Sequence, residues 1–250
     1  MSDGKWRNIS DGRPISRIME GEMKKLVVLT GAGMSADSGL RTFREMGGLW
    51  EEHDVYEVAS PGGWQRDRSM VLRFYNERRK QLLECHPNRG HLDLVELEKE
   101  YEVWIVTQNV DDLHERAGST RILHLHGELR KSRSTADSNL VYDIEGWELK
   151  EGDLCELGSQ LRPHVVWFGE AVPAIEEAAT VVGQADIFVI IGTSMNVYPA
   201  AGLINYAPVH APIYIIDPNE VPVAGHPRIK VIRKKAGEGV RVLMEELRDV

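Results

Sequence analysis

Cysteine is scarce in this 250-residue chain, which contains only Cys85 and Cys155. Two cysteines cannot build a disulfide framework, and so low a content is typical of a reducing compartment. Long apolar runs are also missing, since none approaches the ~18 residues that a membrane-spanning helix needs. Residues 1–22 lack the hydrophobic core of a secretory signal and carry several carboxylates. We therefore expect a cytoplasmic protein with no membrane partner.

Positive charge is in short supply as well. The chain has 30 Lys and Arg residues against 39 Asp and Glu residues, which gives a net charge of −9. Nucleic acids and anionic membranes require a strongly basic surface, so we expect neither as a partner. The apolar fraction of 42% is nevertheless enough for a substantial buried core.

Several short apolar runs are typical of buried parallel strands, and helical patterns separate them. The predicted strands are 26–30, 102–106, 186–191 and 212–216, and the predicted helices are 67–84, 88–100, 174–183 and 237–249. This alternation predicts an α/β fold with a doubly wound, Rossmann-like parallel sheet.

Two stretches interrupt the alternation and predict a smaller domain built from two insertions. Residues 45–87 have a helical pattern, whereas 127–162 are polar and rich in turns, which favours a small β-rich insertion. The apolar residues Trp147, Leu149 and Leu154 are expected to hold the second insertion together. The rest of the single unit 1–250 forms the Rossmann-like core, from 24–44, 88–126 and 163–250.

A glycine-rich turn, Gly31-Ala32-Gly33, follows the first predicted strand. Glycines let backbone N–H groups approach a pyrophosphate without obstruction from Cβ, and the start of the next helix favours negative charge. The turn therefore predicts a dinucleotide site, although such turns also serve packing alone. A dehydrogenase would carry an acidic residue after the next strand, about 20 residues on. The acidic pair at 51–52 has no strand pattern before it, which weakens a hydride-transfer interpretation.

Polar side chains follow two further predicted strands, at 107–114 and 192–194. Because the carboxyl ends of parallel strands meet at one edge of a sheet, we expect these turns to share a crevice with the glycine turn. Gln108 and Asn109 present amides suited to a carboxamide, and Asp111 offers an acceptor for ribose hydroxyls. Taken alone, the segment is better explained as a polar turn in which an aspartate caps the following helix.

His124 and His126 alternate along an extended segment, so their imidazoles are expected on the same side. Histidine is suited to general-base work because its ordinary pKa lies near neutrality. A metal-binding pair is the competing hypothesis, but no third ligand stands at a convincing spacing. Each histidine taken singly is also compatible with a structural role.

Together these segments resemble the sirtuins, which are NAD-dependent protein-lysine deacylases. The resemblance spans about residues 24–245. The matching segments stand in the family's order and spacing: GAGMSADSGLRTFR at 31–44, TQNVDDLH at 107–114, HLHG at 124–127, VWFGE at 166–170 and GTS at 192–194.

The resemblance implies roles for individual residues. His126 would be the catalytic base, with Asn109 and Asp111 as further catalytic residues. Val166, Phe168 and Gly169 would flank the acyl-lysine and pair with its backbone as an added strand. The implied NAD-binding residues are Gly31, Ala32, Gly33, Ser35, Phe43, Arg44, Gln108, Asn109, Val110, Asp111, Gly192, Thr193, Ser194, Asp217, Asn219 and Ala236.

The resemblance also implies that NAD is consumed, giving nicotinamide, deacylated lysine and 2′-O-acyl-ADP-ribose. In that reaction the acyl oxygen attacks C1′ of the nicotinamide ribose, and a base then activates a ribose hydroxyl. Two alternatives stay open. One is mono-ADP-ribosyl transfer to a different acceptor, and the other is an NAD- or ADP-ribose-binding module without turnover. Retention of His126, Asn109 and Asp111 argues against the second.

The chain departs from the family's usual zinc-binding cysteines. Residues 127–162 contain Cys155 alone, and Ser132, Ser134 and Ser138 cluster where the first cysteine pair would be expected. Structural zinc needs about four thiolate or imidazole ligands, and serine is a poor replacement. We therefore predict that no zinc or other metal is bound.

Ala59, Tyr75 and Arg78 match the branch of the family that prefers acidic acyl groups. Tyr75 and Arg78 are three residues apart, so a helix presents them on one face. A guanidinium and a hydroxyl suit the carboxylate of a succinyl or malonyl group. Without the resemblance, an exposed charged helix would explain the same residues.

Overall fold

The computed structural model describes residues 23–40, 55–193, 198–221 and 227–248. Within them the strands are β1 (Lys25–Thr30), β2 (Glu102–Thr107), β3 (Ile122–His124), β4 (Gly127–Ser134), β5 (Val141–Asp143), β6 (Leu161–Val165), β7 (Ile187–Ile191), β8 (Ile213–Ile216) and β9 (Ile229–Ile232). The helices are α1 (Ala32–Ala36), α2 (Val55–Val58), α3 (Pro61–Arg66), α4 (Arg68–Glu84), α5 (Arg89–Leu97), α6 (Leu113–Ala117), α7 (Ile175–Val182) and α8 (Ala236–Leu247), with a 3-10 helix at Ala200–Tyr206. Among these described helices, none is long and apolar enough to cross a bilayer.

Six strands form a parallel sheet in the order β3-β2-β1-β7-β8-β9. The chain builds outward from β1 to β3 on one side and from β7 to β9 on the other, so the direction of winding reverses between β1 and β7. In open α/β sheets, ligands bind outside the carboxyl ends of the strands at such a switch point. The turns that follow β1, β2 and β7 therefore lie around one crevice.

Apolar side chains of the central strands pack against helices on both faces of this sheet. In β1, Leu26 and Val28 face the layer that contains α5 and α8, whereas Val27 and Leu29 face α7 and the 3-10 helix. Burial on both faces explains why β1 is a continuous apolar run rather than an alternating one. The predicted doubly wound α/β class is confirmed.

A second, antiparallel sheet has the order β5-β4-β6. Its apolar side chains pack with α4 in a separate cluster that includes Phe74, Leu129 and Val165. The described helices α2, α3 and α4 fall within the predicted helical insertion, and β4 and β5 fall within the predicted β-rich one. The domain boundaries themselves stay a prediction.

One expectation about the second sheet is wrong. Leu154 does not help to form its core, because 55% of the side chain is exposed. Leu149 is buried as expected, and Ile144 is buried beside it in the cluster with α4. Apolar character alone did not distinguish the buried positions of this turn-rich segment from the exposed ones.

Polar groups on α4 fasten it to the second sheet and its loops. The buried Arg79 donates from Nε to the Leu129 carbonyl (2.7 Å) and from Nη1 to the Trp147 carbonyl (2.6 Å). Asn76 forms a reciprocal pair with the Leu149 backbone, with both distances at 3.0 Å. Bonds to a buried cation are among the stronger ones in proteins, so these contacts hold the small sheet in place.

Candidate active site

The glycine turn after β1 packs directly against the turn after β7. Gly31 N donates to Ile191 O and Gly33 N donates to Gly192 O, both at 2.9 Å. A Cβ at Gly33 would lie 2.6 Å from Gly192 Cα, and Gly192 itself has a φ of +62°. The glycines therefore let two backbones touch. Both amides are used within the protein in this structure, and the role of this turn in a dinucleotide site stays a prediction.

Ser35, Asn109 and Asp111 form a closed polar network beneath this turn. Ser35 Oγ donates to Asp111 Oδ2 (2.9 Å), and Asn109 Nδ2 donates to Ser35 Oγ (3.1 Å) and to Gly31 O (3.0 Å). All three side chains are buried. Burial raises the pKa of Asp111, and the hydrogen bonds from Ser35 and the Leu113 amide oppose that rise. The network fixes the loop after β2 against the loop after β1.

Gln108 lies between this network and the turn after β7. Its Nε2 donates to Thr193 Oγ1 at 3.1 Å, and its backbone carbonyl lies 3.0 Å from His126 Nδ1. The structure thus brings together three segments that the sequence placed near a common crevice. Val110 follows on the same loop, where its carbonyl accepts from Leu129 N at 2.7 Å.

The contact with Gln108 determines which nitrogen of His126 carries a proton. A carbonyl oxygen can only accept, so Nδ1 is the protonated nitrogen and Nε2 keeps its lone pair. Burial lowers the pKa of His126, and the Gln108 carbonyl raises it in part. The imidazole is therefore neutral near pH 7 with Nε2 ready to take a proton.

His124 has a different environment. Its Nδ1 lies 3.2 Å from the Asn109 carbonyl and its Nε2 lies 2.6 Å from Glu115 Oε1. Both partners are acceptors, so both nitrogens carry protons. The Glu115 carboxylate raises the pKa of His124 against the opposing effect of burial. The two histidines therefore differ in charge, and only His126 has the protonation state of a base.

Two carboxylates, Glu115 and Glu128, lie close enough to His124 to form a group with metal-ligand atoms. Cations of the protein already pair with both of them. The His124 imidazolium contacts Glu115, and Lys131 Nζ lies 2.9 Å from Glu128 Oε1. The group is an ion-pair cluster of the chain's own side chains.

The segment that follows β6 runs past His126. Val166 N donates to the His126 carbonyl at 2.9 Å, and Phe168 N donates to the Ala59 carbonyl at 3.0 Å. Phe168 is 41% exposed and its ring packs on Tyr56 at 5.7 Å between centroids. Gly169, with a φ of +89°, ends the extended stretch. An extended backbone with an exposed aromatic side chain thus lies beside His126.

Tyr75 on α4 contacts this segment through Trp167, and Arg78 lies three residues further along the same helix, close enough to Tyr75 to interact with it electrostatically. Tyr75 is 3% exposed and Ala59 is 5% exposed, and both belong to the cluster around α4. Arg78 is half-buried. Burial lowers the pKa of Arg78, and the nearby Tyr75 and Asp111 raise it. Ala59, Tyr75 and Arg78 thus supply a small side chain, a hydroxyl and a guanidinium in the same part of the structure.

The remaining predicted residues are placed as follows. Asp217 is buried at the carboxyl end of β8, where its Oδ1 accepts from Asn219 N (2.8 Å) and Nδ2 (3.0 Å). Ala236 is the first residue of α8 and is buried. Ala32 begins α1. Phe43, Arg44 and Ser194 lie outside the described residues.

Sequence reasoning missed two supports of the site. Thr107 Oγ1 accepts from Asn109 N (3.0 Å) and from Thr30 Oγ1 (2.8 Å), so a threonine at the end of each central strand holds the Asn109 loop. Their position at the ends of two predicted strands was the sequence feature that could have indicated this supporting role. Trp167, fully buried between Val166 and Phe168, was missed too. The sequence signal that could have identified Trp167 is its position, as an aromatic residue between two residues that were predicted to contact the substrate.

A crevice at the switch point, lined by amides, hydroxyls, carboxylates and a neutral imidazole, defines the class of α/β proteins that bind dinucleotides. The sequence matches the Sir2 family over residues 31–199. It is 57% identical to an NAD-dependent protein deacylase of Bacteroides thetaiotaomicron, over 90% of this chain and 98% of that protein. It is 55% identical to an NAD-dependent protein deacylase of Helicobacter pylori, again over 90% of this chain and 98% of that protein. The fold matches a Sir2 homologue–NAD complex with a TM-score of 0.81 at 39% identity, covering 91% of each chain.

The chain therefore belongs to the Sir2 family, the sirtuins. Like its relatives of more than 50% identity, it is an enzyme of the NAD-dependent protein deacylase class.

Proposed function

We propose that this sirtuin removes acidic acyl groups, succinyl and malonyl, from lysine side chains of proteins, with deacetylation as a weaker activity. The observation that carries the proposal is that Ala59 and Tyr75 both contact the Val166–Phe168 segment, and that Arg78 interacts electrostatically with Tyr75. The names of the relatives support the coarser function, and these three side chains support the acyl preference.

The crevice has a donor and acceptor set that fits NAD. The amides of Gln108 and Asn109 suit a carboxamide, and the buried carboxylates Asp111 and Asp217 suit ribose hydroxyls. Bound NAD supplies a glycosidic bond that breaks to release nicotinamide and leaves an electrophilic ribose carbon. We assign the other predicted NAD contacts to the same crevice, including those of the turns after β1 and β7.

His126 is proposed as the general base. Its Nε2 accepts a proton from a ribose hydroxyl, and the Nδ1–H bond to the Gln108 carbonyl stabilises the imidazolium that results. The neutral state of His126 near pH 7 supports this role. Asn109 and Asp111 hold the loop that carries the Gln108 carbonyl.

The acyl group is proposed to enter between the segment after β6 and α4. A peptide backbone pairs with Val166, Phe168 and Gly169 as an added strand, which directs the modified lysine toward Ala59. The small Ala59 side chain leaves room for a longer acyl chain. The Arg78 guanidinium and the Tyr75 hydroxyl then bind its terminal carboxylate through charge-assisted hydrogen bonds.

A side-by-side assay tests the proposal. One peptide sequence carrying acetyl-, malonyl- or succinyl-lysine is incubated with NAD, and nicotinamide release and deacylated peptide are measured. We expect kcat/KM to be highest for the two acidic groups. Higher activity on the acetyl peptide would contradict the acyl preference. Mass added to the protein acceptor would instead indicate ADP-ribosyl transfer, and nucleotide binding without nicotinamide release would indicate a binding module.

We also propose that the small sheet is held without structural zinc. Ser134 Oγ accepts from Ala136 N (3.0 Å), Asp137 N (3.3 Å) and Cys155 Sγ (3.2 Å). One thiol and one hydroxyl do not provide the four ligands of a structural zinc site. Hydrogen bonds around Ser134 connect the loops instead, and Arg79 and Asn76 add the anchoring to α4.

Metal analysis checks this second proposal. Purified protein without a tag is expected to contain zinc well below one atom per chain, and excess chelator should leave its melting temperature unchanged. Replacing Cys155 with serine should cost only about 1 kcal/mol of unfolding free energy, since it exchanges one weak hydrogen bond for another. A one-to-one zinc content, or unfolding by the chelator, would overturn the proposal.

A further inference from the structure

The indole of Trp167 contacts the Tyr75 hydroxyl directly. Trp167 Nε1 lies 2.9 Å from Tyr75 Oη, and the two side chains are only 2% and 3% exposed. Their rings are 6.4 Å apart at the centroids. The bond joins a residue of the peptide-binding segment to a residue of the proposed acyl pocket.

The direction of this hydrogen bond is unambiguous. An indole nitrogen can only donate, so Tyr75 Oη must be the acceptor. The tyrosine proton is then left for a different acceptor, and no described residue provides one. Burial raises the pKa of Tyr75 to about 12, against the effect of the nearby Arg78. The hydroxyl therefore keeps its proton at neutral pH and has it available to donate.

Trp167 itself is held firmly in place. The Arg162 guanidinium lies 3.3 Å from the centre of the indole ring. Glu170 binds both terminal nitrogens of Arg162, at 2.7 Å and 3.0 Å, and also accepts from Trp167 N at 2.8 Å. A side chain with its backbone and its ring both fixed can hold a neighbour in one orientation at little entropic cost on binding.

We propose that Trp167 is a specificity-determining positioning residue, which holds the Tyr75 hydroxyl so that its proton points at the carboxylate of an acidic acyl group. The inference rests on the proposed acyl preference. A purely structural role for Trp167 predicts equal effects on all acyl substrates, whereas the positioning role predicts an effect confined to those with a carboxylate. The selectivity between succinyl and acetyl peptides therefore separates the two.

The test replaces Trp167 with phenylalanine, which keeps an aromatic ring but removes the N–H donor. We expect kcat/KM for the succinyl peptide to fall about tenfold, mainly through KM, with the acetyl value changed less than about twofold. Trp64→Phe is the matched control. Trp64 is buried in the same cluster and packs on Trp167 at 5.8 Å, and it has no contact with the Tyr75 hydroxyl among the bonds of the described residues. It should leave the selectivity unchanged.

Tyr75→Phe and the double variant complete the cycle. Tyr75→Phe should lower kcat/KM for the succinyl peptide at least as much as Trp167→Phe does. Adding Trp167→Phe to the Tyr75→Phe variant should then have little further effect on kcat/KM. Equal losses on both substrates, or a full additional loss in the Tyr75→Phe background, overturn the positioning role. If Tyr75→Phe leaves the selectivity unchanged, Tyr75 does not bind the acyl carboxylate and the inference is overturned, whereas the acyl preference itself is judged from the rates of the parent enzyme on the succinyl and acetyl peptides.

A second replacement covers the case in which Trp167→Phe unfolds the protein. Benzothienylalanine at position 167 exchanges the indole N–H for sulfur at almost the same shape and volume. With a melting temperature near that of the parent protein, it should still lose selectivity for the succinyl peptide about tenfold. Unchanged selectivity in this variant overturns the proposal.

Discussion

Replacing His126 with alanine should lower the rate of peptide deacylation by at least ~100-fold, because a positioned general base contributes about 10²- to 10⁴-fold to a rate. The loss should appear in kcat, since the imidazole takes its proton during the reaction. Affinity for NAD should change little, because the loops after β1, β2 and β7 are held by other contacts. Formation of deacylated peptide gives the rate, and calorimetric titration with NAD gives the affinity.

His124→Gln is the matched control for this experiment. His124 lies two residues away, is doubly protonated and pairs with Glu115, so its loss should affect stability more than the chemical step. The pH profile adds an independent check. Because burial lowers the pKa of His126 and the proposed base is the neutral imidazole, the loss of kcat on acidification should have its midpoint below the ordinary pKa of histidine. A His126→Ala variant that keeps more than a tenth of the parent rate would remove His126 from the base role.

Replacing Arg78 with methionine should reduce desuccinylation by on the order of 100-fold, while deacetylation stays within about threefold of the parent value. Removing one partner of a desolvated ion pair typically costs several kcal/mol, because the remaining charge is left without compensation. An acetyl group has no such charge. Kinetics on paired succinyl and acetyl peptides of one sequence measures the difference.

Arg73→Met controls for loss of positive charge on the same helix. Arg73 is exposed on α4, so its removal should leave both activities unchanged. If Arg78→Met reduces the two activities equally, Arg78 supports the helix or the Asp111 loop rather than the acyl carboxylate. That result would contradict the acidic-acyl assignment and leave the deacylase function in place.

The four central strands of the main sheet were predictable because each is a short, strongly patterned apolar run, whereas the edge strands β3 and β9 were not among the predicted strands. The predicted run 26–30 became β1, and 212–216 contains β8, since residues buried on both faces have no polar alternation to confuse the assignment. The crevice followed from the rule that parallel strands share a carboxyl edge. Helix ends were less accurate, as for the predicted helix 88–100, which ends at Leu97.

Contacts between distant segments could not be read from the sequence. Nothing local in Arg79 indicates that it binds carbonyls 50 and 68 residues away. The sequence around Gly33 would be the same whether the Gly33 amide bound a phosphate or the Gly192 carbonyl. The hydrogen bond to Gly192 depends on how closely the turn after β7 approaches, which the sequence does not reveal. The protonation states of His124 and His126 likewise depend on Glu115 and Gln108, which the spacing of the two histidines does not reveal.

The hydrogen bond from Val166 N to the His126 carbonyl is expected to have a kinetic consequence. In the proposed complex, a bound peptide extends the backbone ladder that includes the His126 carbonyl, so we expect a change in how the peptide binds to shift the imidazole. Substrate positions several residues from the modified lysine should therefore alter the rate of the chemical step as well as binding. For this enzyme, sequence preference and catalytic rate are expected to vary together across substrates.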